Sequence, residues 1–100
     1  MNLGNRSSFT TGQKNVTIAG TAEQLPSVII PDGFQLTIIA KPANTGTIYF
    51  GNSKANAESA TNRFDGLSAG LAVSLKVTNA NLVWVNASVN GEGISYIVEQ

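Results

Sequence analysis

The stretch NLVWVNASVNGEGISYIVEQ, residues 81–100, decides the fold because apolar and polar residues alternate on both sides of Asn90-Gly91. This dipeptide is preferred in two-residue type I′ hairpin turns, since both turn positions need a positive φ. The spacing predicts a hairpin with facing apolar pairs on one side, and a shift of one residue destroys the match. The predicted pairs are Val83 with Val98, Val85 with Tyr96, and Ala87 with Ile94.

The other side of the predicted hairpin places Trp84 opposite Ile97. An apolar pair on an otherwise polar face indicates that something else covers it. The alternatives are an overlying loop, a subunit or partner contact, and a ligand platform. A partner contact makes Trp84 and Ile97 candidate binding residues.

Period-two alternation recurs upstream and predicts further short strands. They are a first strand from Lys14 to Gly20, a strand within Ala22–Ile30, and strands at Phe34–Lys41, Thr47–Gly51 and Leu71–Thr78. In the last of these, Leu71, Val73, Leu75 and Val77 are predicted to point inward. Proline cannot donate to a ladder, so Pro26 and Pro31 place the second strand at a sheet edge.

A second two-residue hairpin loop is predicted at Asp32-Gly33. It pairs Ile29 with Leu36 and Leu25 with Ala40, which keeps apolar residues together. Between the strands, residues 52–62 are predicted to form a helix of at most a turn or two, with Ser53 as a possible cap. Residues 63–70 are predicted to form a loop around Phe64 and Leu67.

About seven or eight short strands joined by Gly, Asn and Pro turns predict an all-β protein. We expect an antiparallel β-sandwich of jelly-roll or immunoglobulin-like type, with residues 14–100 forming one domain. Residues 1–13 are predicted to be an extended N-terminal arm that is either flexible or ordered on a partner. Leu3 and Phe9 are its apolar anchors and Arg6 its basic residue, which makes these three candidate partner-binding residues.

Composition excludes several classes of function. The chain has 100 residues with no Cys and no His, and its six basic and six acidic residues give formal neutrality. Thiolate metal sites and imidazole bases are therefore absent, and we predict no cofactor and no metal ion. The basic residues are scattered, so we expect no nucleic-acid binding. No apolar stretch is long enough for a membrane span or a signal peptide.

Carboxylates are the enzymatic option that remains. The candidates are Glu23, Asp32, Glu58, Asp65, Glu92 and Glu99. Asp32 and Asp65 precede Gly in turn dipeptides, where Asp is favoured for backbone reasons, so we expect no catalytic pair and no enzyme. Aromatic rings at Tyr49 and Trp84 form an alternative sugar-stacking platform.

Four segments carry a resemblance to known proteins. They are LPSVIIPDGFQLTIIAKP (25–42), NTGTIYFGNS (44–53), FDGLSAGLAVSLKV (64–77) and LVWVNASVNGEGISYIVE (82–99). Together they resemble small all-β virion accessory proteins of tailed bacteriophages, of the capsid-decoration or head-fibre-base type. The family often has Pro before Gly in the loop that precedes its strong strand, where this chain has Ala69-Gly70.

The resemblance implies a capsid decoration protein that binds the major capsid protein on the outer surface of the head. It also implies a homo-oligomer, dimer or trimer, that is made in the host cytoplasm and resides in the virion. The alternative is a tail or head-fibre accessory module that binds host surface glycan through Trp84 and Tyr49. The resemblance supplies no catalytic residues.

Overall fold

Eight short β-strands are the main regular elements of residues 8–100, the part of the chain that the computed structural model describes. In chain order the elements are β1 (Thr10–Asn15), β2 (Glu23–Gln24), β3 (Gln35–Ala40), β4 (Ile48–Gly51), α1 (Lys54–Glu58), β5 (Phe64–Leu67), β6 (Ala72–Leu75), a 3₁₀ turn (Ala80–Leu82), β7 (Trp84–Ala87) and β8 (Gly93–Glu99). No helix within residues 8–100 is long and apolar enough to cross a bilayer.

The described strands form two four-stranded antiparallel sheets. Sheet I has the order β1-β8-β3-β6 and sheet II has the order β2-β7-β4-β5. The first half of the chain pairs with the second half in reverse: β1 with β8, β2 with β7, β3 with β6 and β4 with β5. This confirms the predicted all-β class, and two antiparallel sheets are compatible with a sandwich.

The hydrophobic core of the described residues takes side chains from both sheets. Leu36 and Ile38 of β3 and Ile48 of β4 are fully buried, and Phe50 is 7% exposed. Their spacing of two residues matches the strand period, so each strand sends alternate side chains inward. Burial of each such side chain contributes about 1.5–3 kcal/mol, which makes the alternation the main source of stability.

The predicted hairpin at Asn90-Gly91 is wrong, although its apolar side chains are buried as expected. β7 and β8 lie in different sheets, so their inward side chains belong to opposite layers of the core. Among the described residues only glycines have a positive φ, so Asn90 does not adopt the type I′ conformation. Its side-chain oxygen instead accepts a hydrogen bond from the Ala19 N–H at 2.7 Å. The Gly91 N–H donates to the Val16 carbonyl, also at 2.7 Å.

The predicted pairing across Asp32-Gly33 is also wrong. A turn does form, because the Phe34 N–H donates to the Pro31 carbonyl at 2.9 Å and Gly33 has a φ of 82°. However, β3 is paired on one side with β6 and on the other with β8, which leaves no edge for residues 25–30. Ile29 forms an isolated bridge with Asn79 instead. The edge position of the second strand is confirmed, since β2 lies at the edge of sheet II.

The first strand begins earlier than predicted. Residues 10–13, assigned to the arm, form most of β1 and pair with β8. Residues 17–20, predicted as strand, form a bend and a turn. An edge strand with polar side chains lacks the apolar alternation by which strands are predicted, which explains the error. Residues 1–7 of the predicted arm, including Leu3 and Arg6, lie outside the described residues.

The predicted short helix is confirmed, but the loop after it is not. α1 begins after Ser53, whose hydroxyl accepts from the Asn56 N–H at 3.1 Å. Residues 64–67 form β5, in which Gly66 has a φ of 112° and the pairing register shifts. β6 is shorter than predicted, and Leu71 is 52% exposed rather than inward.

Candidate docking surface

The two most exposed large apolar side chains of the described residues lie together at one end of the molecule. Ile29 is 74% exposed and Phe9 is 66% exposed. They line one cleft of about 250 Å³, together with Pro31, Phe34 and Val98. We call it the Phe9–Ile29 cleft. It lies where β1 begins and β8 ends, because Thr10 pairs with Val98.

Asn79 holds Ile29 in place. The Asn79 side-chain oxygen accepts from the Val28 N–H at 3.0 Å, and the Ile30 N–H donates to the Thr78 carbonyl at 3.0 Å. The same Asn79 oxygen accepts from the Asn81 N–H at 3.0 Å and caps the 3₁₀ turn. The exposed Ile29 therefore sits on a backbone that is hydrogen-bonded on both sides. Sequence reasoning missed Asn79, although an Asn before a short helical turn is a recognisable cap.

An ordered apolar cleft of this kind suits protein docking. Asp32 is the one ionisable side chain among the described residues that line it. Apolar area removed from water contributes about 25 cal/mol per Å² to the binding free energy. The backbone of the cleft is already fixed, so binding should cost this protein little conformational entropy. The arrangement can therefore accept an apolar anchor from another protein.

The structure separates the other predicted partner-binding residues. Phe9 lies in the cleft, but Trp84 belongs to β7 of sheet II and Ile97 to β8 of sheet I. The prediction that Trp84 and Ile97 form one apolar pair is therefore wrong, because it depended on the Asn90-Gly91 hairpin. A binding role for either residue alone stays a prediction.

The proposed aromatic platform is interrupted by α1. Tyr49 and Trp84 both point away from the core on sheet II, since their strand neighbours are buried. Helix α1 packs on the sheet beside both. Asn86 lies opposite Tyr49, and its Nδ2 donates to the Ala57 carbonyl at 3.3 Å; Gly51 lies opposite Trp84, and the Ala57 backbone packs against it. The Arg63 guanidinium also covers the Tyr49 ring, 3.6 Å from its centroid.

Three glutamates tie loops together rather than converge in a cleft. Glu23 accepts a hydrogen bond from the Thr17 N–H at 2.7 Å. This bond is the largest cause of the lowered pKa of Glu23, and the hydrogen bond from the Lys14 ammonium is the second. The Lys54 ammonium, and then the Ala22 N–H, lower the pKa of Glu58. Among residues 8–100 no group of three or more acidic side chains could hold a metal ion.

Glu92 joins the loop between β3 and β4 to the loop between β7 and β8. Its carboxylate accepts from the Thr45 N–H at 2.6 Å and from the Gly46 N–H at 2.8 Å, and these bonds lower its pKa. A carboxylate that accepts several backbone hydrogen bonds favours its charged form. Its role is therefore to order the loops at the end of the molecule opposite the Phe9–Ile29 cleft.

We expect mild acid to weaken these loops. The three glutamates have folded pKa values below the ordinary value of 4.5, so the unfolded chain binds protons first as the pH falls. Their contribution to stability is complete above about pH 5 and is lost as the pH falls through the folded pKa values. The urea midpoint is measured at neutral pH and again near the folded pKa values. The drop in midpoint between these two pH values should be smaller for Glu92→Gln than for the unmodified protein. An equal drop contradicts the assignment of Glu92.

Comparison with known proteins does not identify a function for this surface. No protein-family model matches the chain, and neither a curated protein nor a solved structure matches it.

Proposed function

We propose that this protein is a structural component of a tailed-phage virion: a capsid decoration protein that binds the outer surface of the head. The observation that carries the proposal is the Phe9–Ile29 cleft, an ordered and almost uncharged surface with its largest apolar side chains exposed. A decoration protein binds only the assembled shell and so stabilises it by mass action. The resemblance of residues 20–99 to virion accessory proteins supports the major capsid protein as the partner.

The sandwich is proposed to be of the jelly-roll type. In support, the strands pair as β1 with β8, β2 with β7, β3 with β6 and β4 with β5, as if one long hairpin were wound into two sheets. Immunoglobulin sandwiches instead keep several consecutive strands side by side in one sheet, whereas here only β4 and β5 do so among the described strands. Jelly rolls are common in viral capsid proteins, which favours a virion role.

The low charge of the chain also supports a role as a component of a larger assembly. Six acidic and six basic residues leave little surface charge to keep a free monomer apart from its neighbours. Docking through an apolar cleft does not depend on charge steering, so binding to the shell should be insensitive to salt. We propose a homo-oligomer, dimer or trimer, because repeated docking sites strengthen attachment to a repeating lattice.

The double variant Phe9→Ser with Ile29→Ser is expected to lose shell binding. Each side chain contributes about 1.5–3 kcal/mol when buried, so affinity for purified heads that lack the protein should fall at least about tenfold for each substitution. Both side chains are already exposed, so the thermal midpoint of the isolated variant should hardly change. Cosedimentation with heads measures the first quantity and circular dichroism the second.

Ile18→Ser is the matched control. Ile18 is 58% exposed and follows the opposite end of β1, so this substitution removes similar apolar area away from the cleft. It should leave shell binding intact. Quantitative mass spectrometry of virions is expected to find the protein in many copies per particle. A handful of copies, or equal binding by the double variant and the unmodified protein, contradicts the proposal.

A further inference from the structure

A second, larger cleft lies on another part of the molecule. Its volume is about 660 Å³, and residues of β4, β5, β6 and the 3₁₀ turn line it. β5 and β6 are edge strands of their two sheets, so the cleft lies where no further strand from residues 8–100 covers the core. We call it the edge cleft. Its size falls in the range of about 300–1,000 Å³ that is usual for small-molecule sites.

The apolar wall of the edge cleft includes a half-exposed aromatic ring. Phe64 is 49% exposed, and its ring stacks on that of Phe50 with a centroid distance of 4.6 Å and an interplanar angle of 22°. Phe50 is itself buried at 7% exposure, which fixes the position of Phe64. The other apolar side chains of this wall are Leu75, Val77, Leu82 and Val83. The cleft thus presents a firmly held aromatic surface that is accessible from solvent.

Three amide side chains form the polar wall of the same cleft: Asn52, Asn56 and Asn62. The Asn56 Nδ2 donates to the Asn52 Oδ1 at 2.6 Å, and the Asn62 Nδ2 donates to the Asn56 Oδ1 at 3.5 Å. The Asn56 backbone is anchored by the Ser53 cap of α1. An amide offers two donors and an acceptor oxygen with two lone pairs, so these mutual bonds leave donors and acceptors available to a ligand.

The lining carries no charge. None of the described side chains that line the edge cleft is ionisable. A charged ligand would lose hydration there without gaining a counter-charge, which disfavours phosphates, carboxylates and sulfated sugars. A purely aliphatic ligand would leave the amide wall without partners. The lining therefore favours a neutral ligand with one apolar face and several hydrogen-bonding groups.

We propose that the edge cleft binds a neutral saccharide, with the apolar face of one sugar ring on Phe64 and its hydroxyl groups on the amides of Asn52, Asn56 and Asn62. A hydroxyl both donates and accepts, as an amide does, so the two chemistries are complementary. An aromatic ring supplies a flat apolar surface of matching size. This activity goes beyond attachment to the shell and uses different residues.

Titration of the isolated protein with neutral sugars tests the proposal. The probes are glucose, galactose, mannose, N-acetylglucosamine and their disaccharides, followed by ¹⁵N–¹H correlation spectra. At least one probe should shift the signals of the Asn62 side-chain amide and of the Phe64 backbone. Phe64→Ala should weaken its binding by about tenfold, as loss of one aromatic contact implies. Asn62→Ala should also weaken binding. This variant leaves the stack of Phe50 and Phe64 intact, so it tests the site even if Phe64→Ala fails to fold.

Two control variants separate this site from others. Trp84→Ala should leave sugar binding unchanged, and so should the Phe9→Ser with Ile29→Ser double variant, which tests shell docking independently. The proposal is overturned if no neutral sugar shifts the edge-cleft signals, if glucuronic acid binds as well as glucose, or if Trp84→Ala abolishes binding.

Discussion

Gly93→Ala is expected to lower the free energy of unfolding by about 3 kcal/mol or more, because overpacking against backbone cannot relax cheaply. Gly93 begins β8 and pairs with Asn15 of β1. A Cβ at this position would clash with the Lys14 carbonyl oxygen and approach the Asn15 Cα to 2.6 Å. The Gly93 carbonyl is also fixed, since it accepts from the Lys41 N–H at 3.1 Å and from the Asn44 Nδ2 at 2.9 Å.

Urea denaturation followed by circular dichroism measures this effect, with Ser95→Ala as the matched control. Ser95 lies two residues further along β8 and points away from the core, so its truncation should change stability by no more than about 0.5 kcal/mol. Separation of β1 from sheet I should also appear as faster amide exchange at residues 10–15. Similar urea midpoints for the two variants would show that β1 is not packed against Gly93.

Asn86→Ala is expected to lower the free energy of unfolding by about 2–3 kcal/mol, since a buried polar group loses its partner and a cavity remains. Asn86 is 2% exposed. Its Oδ1 accepts from the Gly20 N–H at 3.0 Å and its Nδ2 donates to the Ala57 carbonyl at 3.3 Å. One side chain thus connects β7, α1 and the loop between β1 and β2.

Amide exchange gives the more specific readout for Asn86→Ala. The Gly20 N–H also donates to the Ala87 carbonyl at 3.2 Å, so it should exchange faster in the variant without becoming fully unprotected. Asn62→Ala is the control, because Asn62 is exposed and its truncation should change stability by no more than about 0.5 kcal/mol. Unchanged exchange at Gly20 would contradict the linking role of Asn86.

The sequence was a better guide to which side chains are buried than to which strands lie beside one another. Alternation on both sides of Asn90-Gly91 placed Val85 and Tyr96 inside, and both are buried. A period of two specifies the face of a strand but not whether a neighbouring apolar strand lies beside it or across the core. Val85 in fact pairs with Glu23 and Phe50, while Tyr96 pairs with Gly12 and Ile38, which are distant in sequence.

The candidate sites were harder to predict because they depend on those distant pairings. Phe9 was identified from the sequence, but Ile29 was assigned to a buried hairpin and is the most exposed large apolar residue described. Asn79 and Asn86 each make a hydrogen bond to a residue more than 50 positions away, Asn79 to Val28 and Asn86 to Gly20. Local patterns do not encode such contacts.

The reverse pairing of the two halves has a consequence for biosynthesis. β8 lies between β1 and β3 in sheet I, so two strands made early have no shared neighbour until residues 93–99 have left the ribosome. Long chain closures must precede most of the stabilising contacts, which is typical of slowly folding topologies. Nascent chains that stop short of β8 expose the apolar side chains of β3 and should be recognised by chaperones or degraded, which makes the synthesis of β8 the checkpoint for folding.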